Sequence, residues 1–138
     1  MIVLDTNVIS ELFKFSPAPQ VMNWLHQQTD VAVFTTAITR GELLFGLNIL
    51  PNGQRKAALL AGLLGIFEVR FPARVLAYDS EAADAHAALA AERRANGQPI
   101  SQADAMIAGI VRSRSAQLAT RNVRDFEGCG ITVVDPWH

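Results

Sequence analysis

Short apolar runs alternate along this chain with longer segments in which apolar residues recur at helical spacing. The first run, IVL, predicts a short buried strand, and four similar runs follow it. The five predicted strands are residues 2–4, 31–37, 75–78, 117–120 and 131–134. They are short and rich in β-branched residues, as strands are.

The segments between these strands predict amphipathic helices, because their apolar residues lie three and four positions apart. The predicted helices are residues 6–13, a segment around 21–25, and residues 38–50, 57–67, 81–95 and 101–114. The helix at 57–67 is apolar nearly all round, so it either lies in the core or packs against another subunit or partner. The alternation of strands and helices predicts an α/β sandwich with a parallel sheet.

Composition sets broad limits on the class of protein. The chain has 138 residues, half of them apolar, which favours one domain over residues 1–138 with a sizeable core. Its one cysteine, Cys129, excludes an internal disulfide and fits a reducing cytosol, so we expect a cytoplasmic protein. The N-terminus lacks a basic leader and the longest apolar stretch, AALLAGLLGIF, is too short to span a bilayer, so no membrane association is expected.

The charge balance is not that of a typical nucleic-acid binder. Twelve basic and 13 acidic residues give a net charge of −1. Ten of the 12 cations are arginine, however, and arginine suits bidentate contacts with phosphate. The simpler interpretation of these arginines is that they lie on solvated helix faces and loop edges.

Three acids open apolar segments and are the candidate functional residues. They are Asp5 in VLDTNVIS, Glu42 in AITRGELLFGL and Asp104 in ISQADAMIAGI. Each taken singly is most simply a helix start. Asp5 is placed to cap the first helix, and the pairs Thr39/Glu42 and Ser101/Asp104 have capping-box spacing.

The positions of the acids along the predicted sheet favour a shared site. Ligands of open parallel sheets bind at the carboxyl ends of the strands. Asp5 follows the first strand directly, Glu42 lies a turn beyond the second, and Asn122 and Asp125 of the run ATRNVRDF follow the fourth. Asp104 reaches this edge only if tertiary structure brings the start of its helix there. In that case three or four oxygen ligands converge.

Electrostatics then predicts what such a site holds. Two carboxylates about 5 Å apart repel by roughly 3 kcal/mol at an effective dielectric constant near 20, so three pairs cost on the order of 10 kcal/mol unless protons or a cation relieve them. Oxygen ligands favour Mg²⁺ or Mn²⁺ over zinc. Such an ion suits phosphodiester cleavage, because it activates water and offsets charge on the phosphate. The polar residues that either orient ligands and water or simply cap helices and form turns are Thr6, Asn7, Thr39, Ser101 and Thr120.

At these residues the chain resembles the PIN-domain ribonucleases, and among them the VapC-type toxins of bacterial toxin–antitoxin modules. The similar segments are LDTNVISE, TAITRGELLFGL, SQADAMIAG and LATRNVRDFEGCGITVVDPW, in the family's order, and the ending VVDPWH resembles the Fit-type branch. The resemblance implies a PIN-like sandwich, a five-stranded parallel sheet flanked by helices. It also implies a Mg²⁺- or Mn²⁺-dependent endoribonuclease with an RNA substrate, a homodimer, and inhibition by a small cognate antitoxin protein.

The resemblance also assigns the site residues. By position, Asp5, Glu42 and Asp104 match the family's three main acids. The family's fourth acidic position falls in ATRNVRDF, where this chain has Asn122 after Thr120-Arg121 and its nearest carboxylate is Asp125. We expect one of these two residues to contact the site, directly or through water.

Two other functions remain open on the sequence alone. In an aspartyl-phosphate phosphohydrolase or phosphoacceptor domain, Asp5 would be the nucleophile. Phosphatases of the haloacid-dehalogenase type need an acid where this chain has Asn7, and receiver domains need a late lysine, whereas Lys14 and Lys56 are early. The second is a catalytically silent PIN-like module that binds RNA or protein, against which the intact acids argue.

Overall fold

Five short parallel strands form one sheet at the centre of the molecule. The structure, a computed structural model, describes residues 1–138 apart from the side chain of Val31. The strands are β1 (Ile2–Leu4), β2 (Val33–Thr36), β3 (Val75–Leu76), β4 (Gln117–Ala119) and β5 (Thr132–Val134). Their spatial order is β3-β2-β1-β4-β5, and all neighbouring strands are parallel. The predicted five-stranded parallel sheet is therefore confirmed.

Six helices connect and cover the strands. They are α1 (Thr6–Leu12), α2 (Pro19–His26), α3 (Ala37–Asn48), α4 (Gln54–Arg70), α5 (Ser80–Ala95) and α6 (Gln102–Ser113). Two short 3-10 helices, Asp30–Ala32 and Val123–Phe126, precede β2 and β5.

Four predicted strands are shorter in the structure than the apolar runs suggested, β4 and β5 by one residue each and β2 and β3 by more. Strand β2 begins at Val33 rather than at residue 31, because the 3-10 turn Asp30–Ala32 comes first. Strand β3 ends at Leu76 rather than at residue 78. The hydroxyl of Tyr78 lies 2.7 Å from Nδ1 of His86 on α5, so the residue contacts the next helix rather than pairing with a strand.

Two apolar clusters cover the two faces of the sheet. Alternate residues of a strand face opposite ways, so Val3 belongs to one cluster and Leu4 to the other. The Val3 cluster is built mainly with α5 and α6, and it includes Leu89 and Ile107. The other cluster is built mainly with α1 to α4, and it includes Phe67. This packing fixes the strand ends, and with them the position of the acids.

The outer surface of α3 and α4 carries exposed apolar side chains. Phe45 of α3 and Ile49, which caps its C-terminus, are 66% and 68% exposed. Helix α4 buries Leu63 and Phe67 against the second cluster, and its other residues are half-buried or exposed. Phe45 and Ile49, four positions apart, therefore present an apolar surface to solvent at the end of α3. None of the helices described for this chain has the length and hydropathy needed to cross a membrane.

Candidate metal-binding active site

Asp5 is the buried centre of the polar network at the carboxyl edge of the sheet. It follows β1 directly and is 4% exposed. Its Oδ1 accepts a hydrogen bond from the Thr6 backbone N–H at 2.8 Å, so it caps α1 as its position predicts. Its Oδ2 accepts the hydroxyl of Thr120 at 2.7 Å and lies 3.4 Å from Nδ2 of Asn7. The carboxylate is thus held in place from both sides.

Thr120 connects the ends of β1 and β4. Besides donating to Asp5, its Oγ1 accepts hydrogen bonds from Nδ2 of Asn7 and from the backbone N–H of Asn122, both at 3.1 Å. Asn7 in turn accepts the backbone N–H of Arg121 on its Oδ1 at 3.1 Å. The network therefore ties the segment after β4 to the start of α1.

Glu42 joins the same edge through Thr6. The hydroxyl of Thr6 donates to Oε1 of Glu42 at 3.0 Å and lies 3.1 Å from Oγ1 of Thr39. The predicted capping box of Thr39 and Glu42 is wrong. Helix α3 begins earlier than the sequence suggested, and its cap is Thr36, whose Oγ1 accepts the Thr39 backbone N–H at 3.1 Å. Glu42 lies in the second turn of α3 with its side chain exposed, so capping does not explain it.

Asp104 lies in the first turn of α6. Ser101 caps that helix by accepting the Asp104 backbone N–H at 3.2 Å, so the predicted N-cap is confirmed. The end of α6 leads into the start of β4, and this places the beginning of α6 at the carboxyl edge. Asp104 is half-buried, and its negative charge raises the pKa of Asp5. Tertiary structure thus brings the third acid to the edge that holds the other two.

The carboxylates disfavour one another's charge. Burial is the main cause that raises the pKa of Asp5, and the charges of Asp104 and Glu42 raise it further, against the hydrogen bonds from Thr120 and Thr6. Burial also raises the pKa of Asp104, and the charge of Asp125 adds to this effect. A cation at this edge would relieve these costs.

Asn122 and Asp125 are the two candidates for the family's fourth acidic position, and their surroundings differ. Asn122 is exposed, and its backbone N–H is bound to Thr120. Asp125 lies in the 3-10 helix Val123–Phe126 and lines a pocket of about 250 Å³ together with Asp104 and Ser101. The structure therefore brings Asp125 to Asp104, and it brings the backbone of Asn122 to the network around Asp5.

Comparison with known proteins assigns this arrangement to a family. The pattern that defines the family "PIN domain" matches residues 2–128. The chain belongs to the PIN-domain family. The PIN domain is 38% identical over 137 residues to "VapC ribonuclease Y4jK" of Sinorhizobium fredii, covering 99% of this chain and 98% of that protein. It is 35% identical over 138 residues to "Toxin FitB" of Neisseria gonorrhoeae, covering 100% and 99%.

The solved structures agree with the sequences. One chain of the toxin–antitoxin complex FitAB superposes on this PIN domain with a TM-score of 0.92 at 33% identity. That complex was solved bound to a DNA fragment named IR36. The match covers 100% of this chain and 96% of the FitAB chain. The similarity to VapC-type toxins and their Fit-type branch, predicted from the order of the motifs, is confirmed.

One buried arginine of the PIN domain was missed by sequence reasoning. Arg93 is 8% exposed, and its Nε donates to the carbonyl of Gln98 at 2.7 Å. Its Nη1 donates to the carbonyls of Asp125 and Glu127, both at 2.8 Å. Arg93 therefore fastens the segment that carries Asp125 to the end of α5. The one signal in the sequence was helical spacing, because Arg93 lies four positions after Leu89 on the buried face of α5, whereas its neighbour Arg94 is exposed.

The carboxyl edge of the sheet suits a metal ion that keeps water ligands rather than one surrounded entirely by protein side chains. Among the side chains that the structure describes, no three of the types His, Cys, Asp and Glu lie close enough together to surround an ion. Mg²⁺ is usually held by one or two carboxylates and keeps several waters or substrate oxygens as its other ligands. The oxygen donors and the raised pKa of Asp5 and Asp104 fit such an ion.

A larger cavity lies away from the acids. It has a volume of about 410 Å³ and is lined by Val33, Phe71 and Arg74, at the edge where β2 and β3 begin. This is the edge opposite to the acid network. The candidate site is therefore distinguished by its acidic residues rather than by the size of its cavity.

Proposed function

We propose that this PIN domain is the toxin of a toxin–antitoxin module and acts as an endoribonuclease that depends on Mg²⁺ or Mn²⁺. The observation that supports this proposal is that Thr6 hydrogen-bonds to both Asp5 and Glu42, and that the charges of Asp104 and Glu42 both raise the pKa of Asp5. Relatives named ribonuclease and toxin, matched along almost their whole length, support it.

The proposed chemistry assigns separate tasks to the residues of the network. When bound, Mg²⁺ supplies a water of lowered pKa and offsets charge on the phosphate. Asp5, Glu42 and Asp104 would hold the ion, each either directly or through one of its bound waters, and Asp125 or Asn122 would contribute in the same way. Thr120 and Thr6 hold the carboxylates of Asp5 and Glu42 in fixed positions, which reduces the reorganisation needed when RNA binds.

We also propose which proteins this chain binds and in which compartment it works. FitAB is a toxin–antitoxin complex, and we propose that this chain likewise binds a cognate antitoxin and forms a homodimer. The exposed side chains of Phe45 and Ile49 support contact with protein, because clustered exposed apolar residues mark interaction surfaces. The buried thiol of Cys129 suits the cytoplasm as the working compartment.

The proposed function is tested by expression and by cleavage. Expression of the chain alone is expected to arrest growth, and co-expression of a cognate antitoxin is expected to restore growth. The purified protein is expected to cleave total bacterial RNA in Mg²⁺ and not in EDTA. Binding of RNA without cleavage in either buffer would favour the catalytically silent module instead.

A further inference from the structure

Arg121 holds an exposed positive charge next to the acid network. It follows Thr120 in the chain, and its backbone N–H donates to Oδ1 of Asn7 at 3.1 Å. Its guanidinium carbon lies 5.0 Å from the centroid of the Trp137 ring. The backbone of Arg121 therefore belongs to the network around Asp5, while its side chain is open to solvent.

The charge of Arg121 is only weakly balanced by protein groups. The charge of Arg121 contributes to lowering the pKa of Glu11. Hydrogen bonds from Lys14 and from the backbone of Ala18 lower that pKa more. Those donors occupy Oε1 and Oε2 of Glu11, each at 3.0 Å. Within the described side chains Arg121 forms no ion pair within 4.0 Å. Its guanidinium donors remain available to a ligand.

Two other arginines near the site are already engaged, and a third, Arg124, is exposed but has no aromatic ring against its guanidinium among the described side chains. Arg93 is buried and donates to three backbone carbonyls. Arg40 is half-buried, with its guanidinium 5.2 Å from the centroid of the Phe67 ring. Arg121 differs because it is exposed and its guanidinium is supported by an indole ring, which restricts its orientation before a ligand arrives.

We propose that Arg121, supported by Trp137, binds a backbone phosphate of the RNA beside the bond that is cleaved. This inference rests on the proposed function, since it assigns a substrate contact to the same site. Carboxylates at the site repel a polyanion, and a fixed guanidinium at the rim offsets that repulsion. A planar guanidinium also matches phosphate geometry through two parallel hydrogen bonds.

The test measures RNA affinity without cleavage. All proteins carry Asp104→Asn, and a fluorescein-labelled single-stranded RNA of mixed sequence is titrated in Mg²⁺ with anisotropy as the readout. Adding Arg121→Gln is expected to weaken binding about tenfold, as loss of a charged hydrogen-bonded contact does. It should also reduce the slope of log K against log salt by about 0.7, the value for one phosphate contact on a single strand.

The matched control is Arg114→Gln. Arg114 follows α6 at the opposite edge of the sheet, and its ion pair with Asp79 at 3.5 Å is exposed to solvent. This change removes the same charge from the protein, so it is expected to leave the salt slope unchanged. An equal fall in slope for both variants would mean that net charge alone matters, and it would overturn the proposal.

Further outcomes separate this inference from its competitors. A lower melting temperature for Arg121→Gln with an unchanged salt slope would assign Arg121 to packing of the C-terminus and overturn the proposal. A weakened antitoxin complex with an unchanged slope would assign it to the protein partner, with the same consequence. If the unsubstituted protein binds RNA without cleaving it, the proposed function fails while the contrast between Arg121 and Arg114 still decides this inference.

Discussion

Thr120 donates its hydroxyl to Oδ2 of Asp5 at 2.7 Å, and both residues are buried. This bond opposes the effect of burial and lowers the pKa of Asp5, so it favours the charged form that a metal ion needs. It also joins the ends of two neighbouring strands, β1 and β4, which lie 115 positions apart at these residues.

Replacing Thr120 with valine tests this bond at nearly constant volume. Thr120→Val removes the donor to Asp5 and the acceptor used by Asn7 and Asn122, so we expect a loss of about 1–3 kcal/mol in the free energy of unfolding. Cleavage is expected to fall roughly 10- to 100-fold, as for other residues that orient metal ligands. Thr120→Ser keeps the hydroxyl and should retain most activity. Equal rates for both variants would contradict the role given to the hydroxyl.

The raised pKa of Asp104 predicts how stability depends on pH without metal. The folded state binds this proton more tightly than the unfolded state, so the ionised carboxylate destabilises the fold. The cost is absent below the ordinary value of 3.8, grows through the window up to the raised pKa, and is fully present above it. In EDTA, Asp104→Asn is therefore expected to melt higher than the unsubstituted protein at neutral pH, with a difference that shrinks towards pH 3.8.

The control for that experiment is Asp84→Asn, which neutralises an exposed acid on α5. Its melting temperature should follow that of the unsubstituted protein across the whole pH range. If Asp104→Asn melts lower than the unsubstituted protein at neutral pH in EDTA, Asp104 stabilises the start of α6 more than repulsion destabilises it. That result would favour capping as its principal role.

Arg93 is predicted to be a main contributor to stability near the site. Arg93→Met leaves the carbonyls of Gln98, Asp125 and Glu127 without their donor, so we expect a loss of about 3 kcal/mol by chemical denaturation. Arg94→Met changes an exposed side chain on the same helix and should shift stability by no more than about 0.5 kcal/mol. Similar values for the two variants would mean that the hydrogen bonds of Arg93 contribute little.

Gly109 allows α5 and α6 to approach closely. A Cβ atom at this position would lie 2.6 Å from the carbonyl oxygen of Ala82 and 2.9 Å from Cβ of His86. Gly109→Ala is therefore expected to cost about 1–3 kcal/mol in the free energy of unfolding. Gly65→Ala is the control, since Gly65 lies inside α4 with no neighbour within 4 Å, and it should gain up to about 1 kcal/mol. A neutral Gly109→Ala would show that the helices can separate without cost.

The sequence predicted the sheet and the acids at its edge because both depend on local pattern. β-Branched apolar runs located five strands, and Asp5 follows β1 with no intervening residue. The place of Asp104 depended on tertiary structure, because it lies before β4 rather than after a strand. Only the path of α6 across the sheet brings it to the carboxyl edge.

Local pattern also misassigned or missed residues whose partners are distant. Thr39 has capping-box spacing to Glu42, yet Thr36 caps α3 and Thr39 contacts Thr6 instead. Arg93 sits in an alanine-rich helix, and its carbonyl partners at Asp125 and Glu127 lie 32 and 34 positions away. Contacts of that separation leave no periodic signal in a single sequence.

The central claim, that the converging acids form a metal-dependent nuclease site, is tested most directly by cleavage of RNA in Mg²⁺. The protein, Asp104→Asn and the charge-matched Asp84→Asn are compared by single-turnover cleavage after circular dichroism has shown that all three are folded. We predict that the unsubstituted protein and Asp84→Asn cleave at similar rates, that EDTA stops both, and that Asp104→Asn is inactive. Cleavage by Asp104→Asn at the unsubstituted rate, or cleavage that persists in EDTA, would contradict the account.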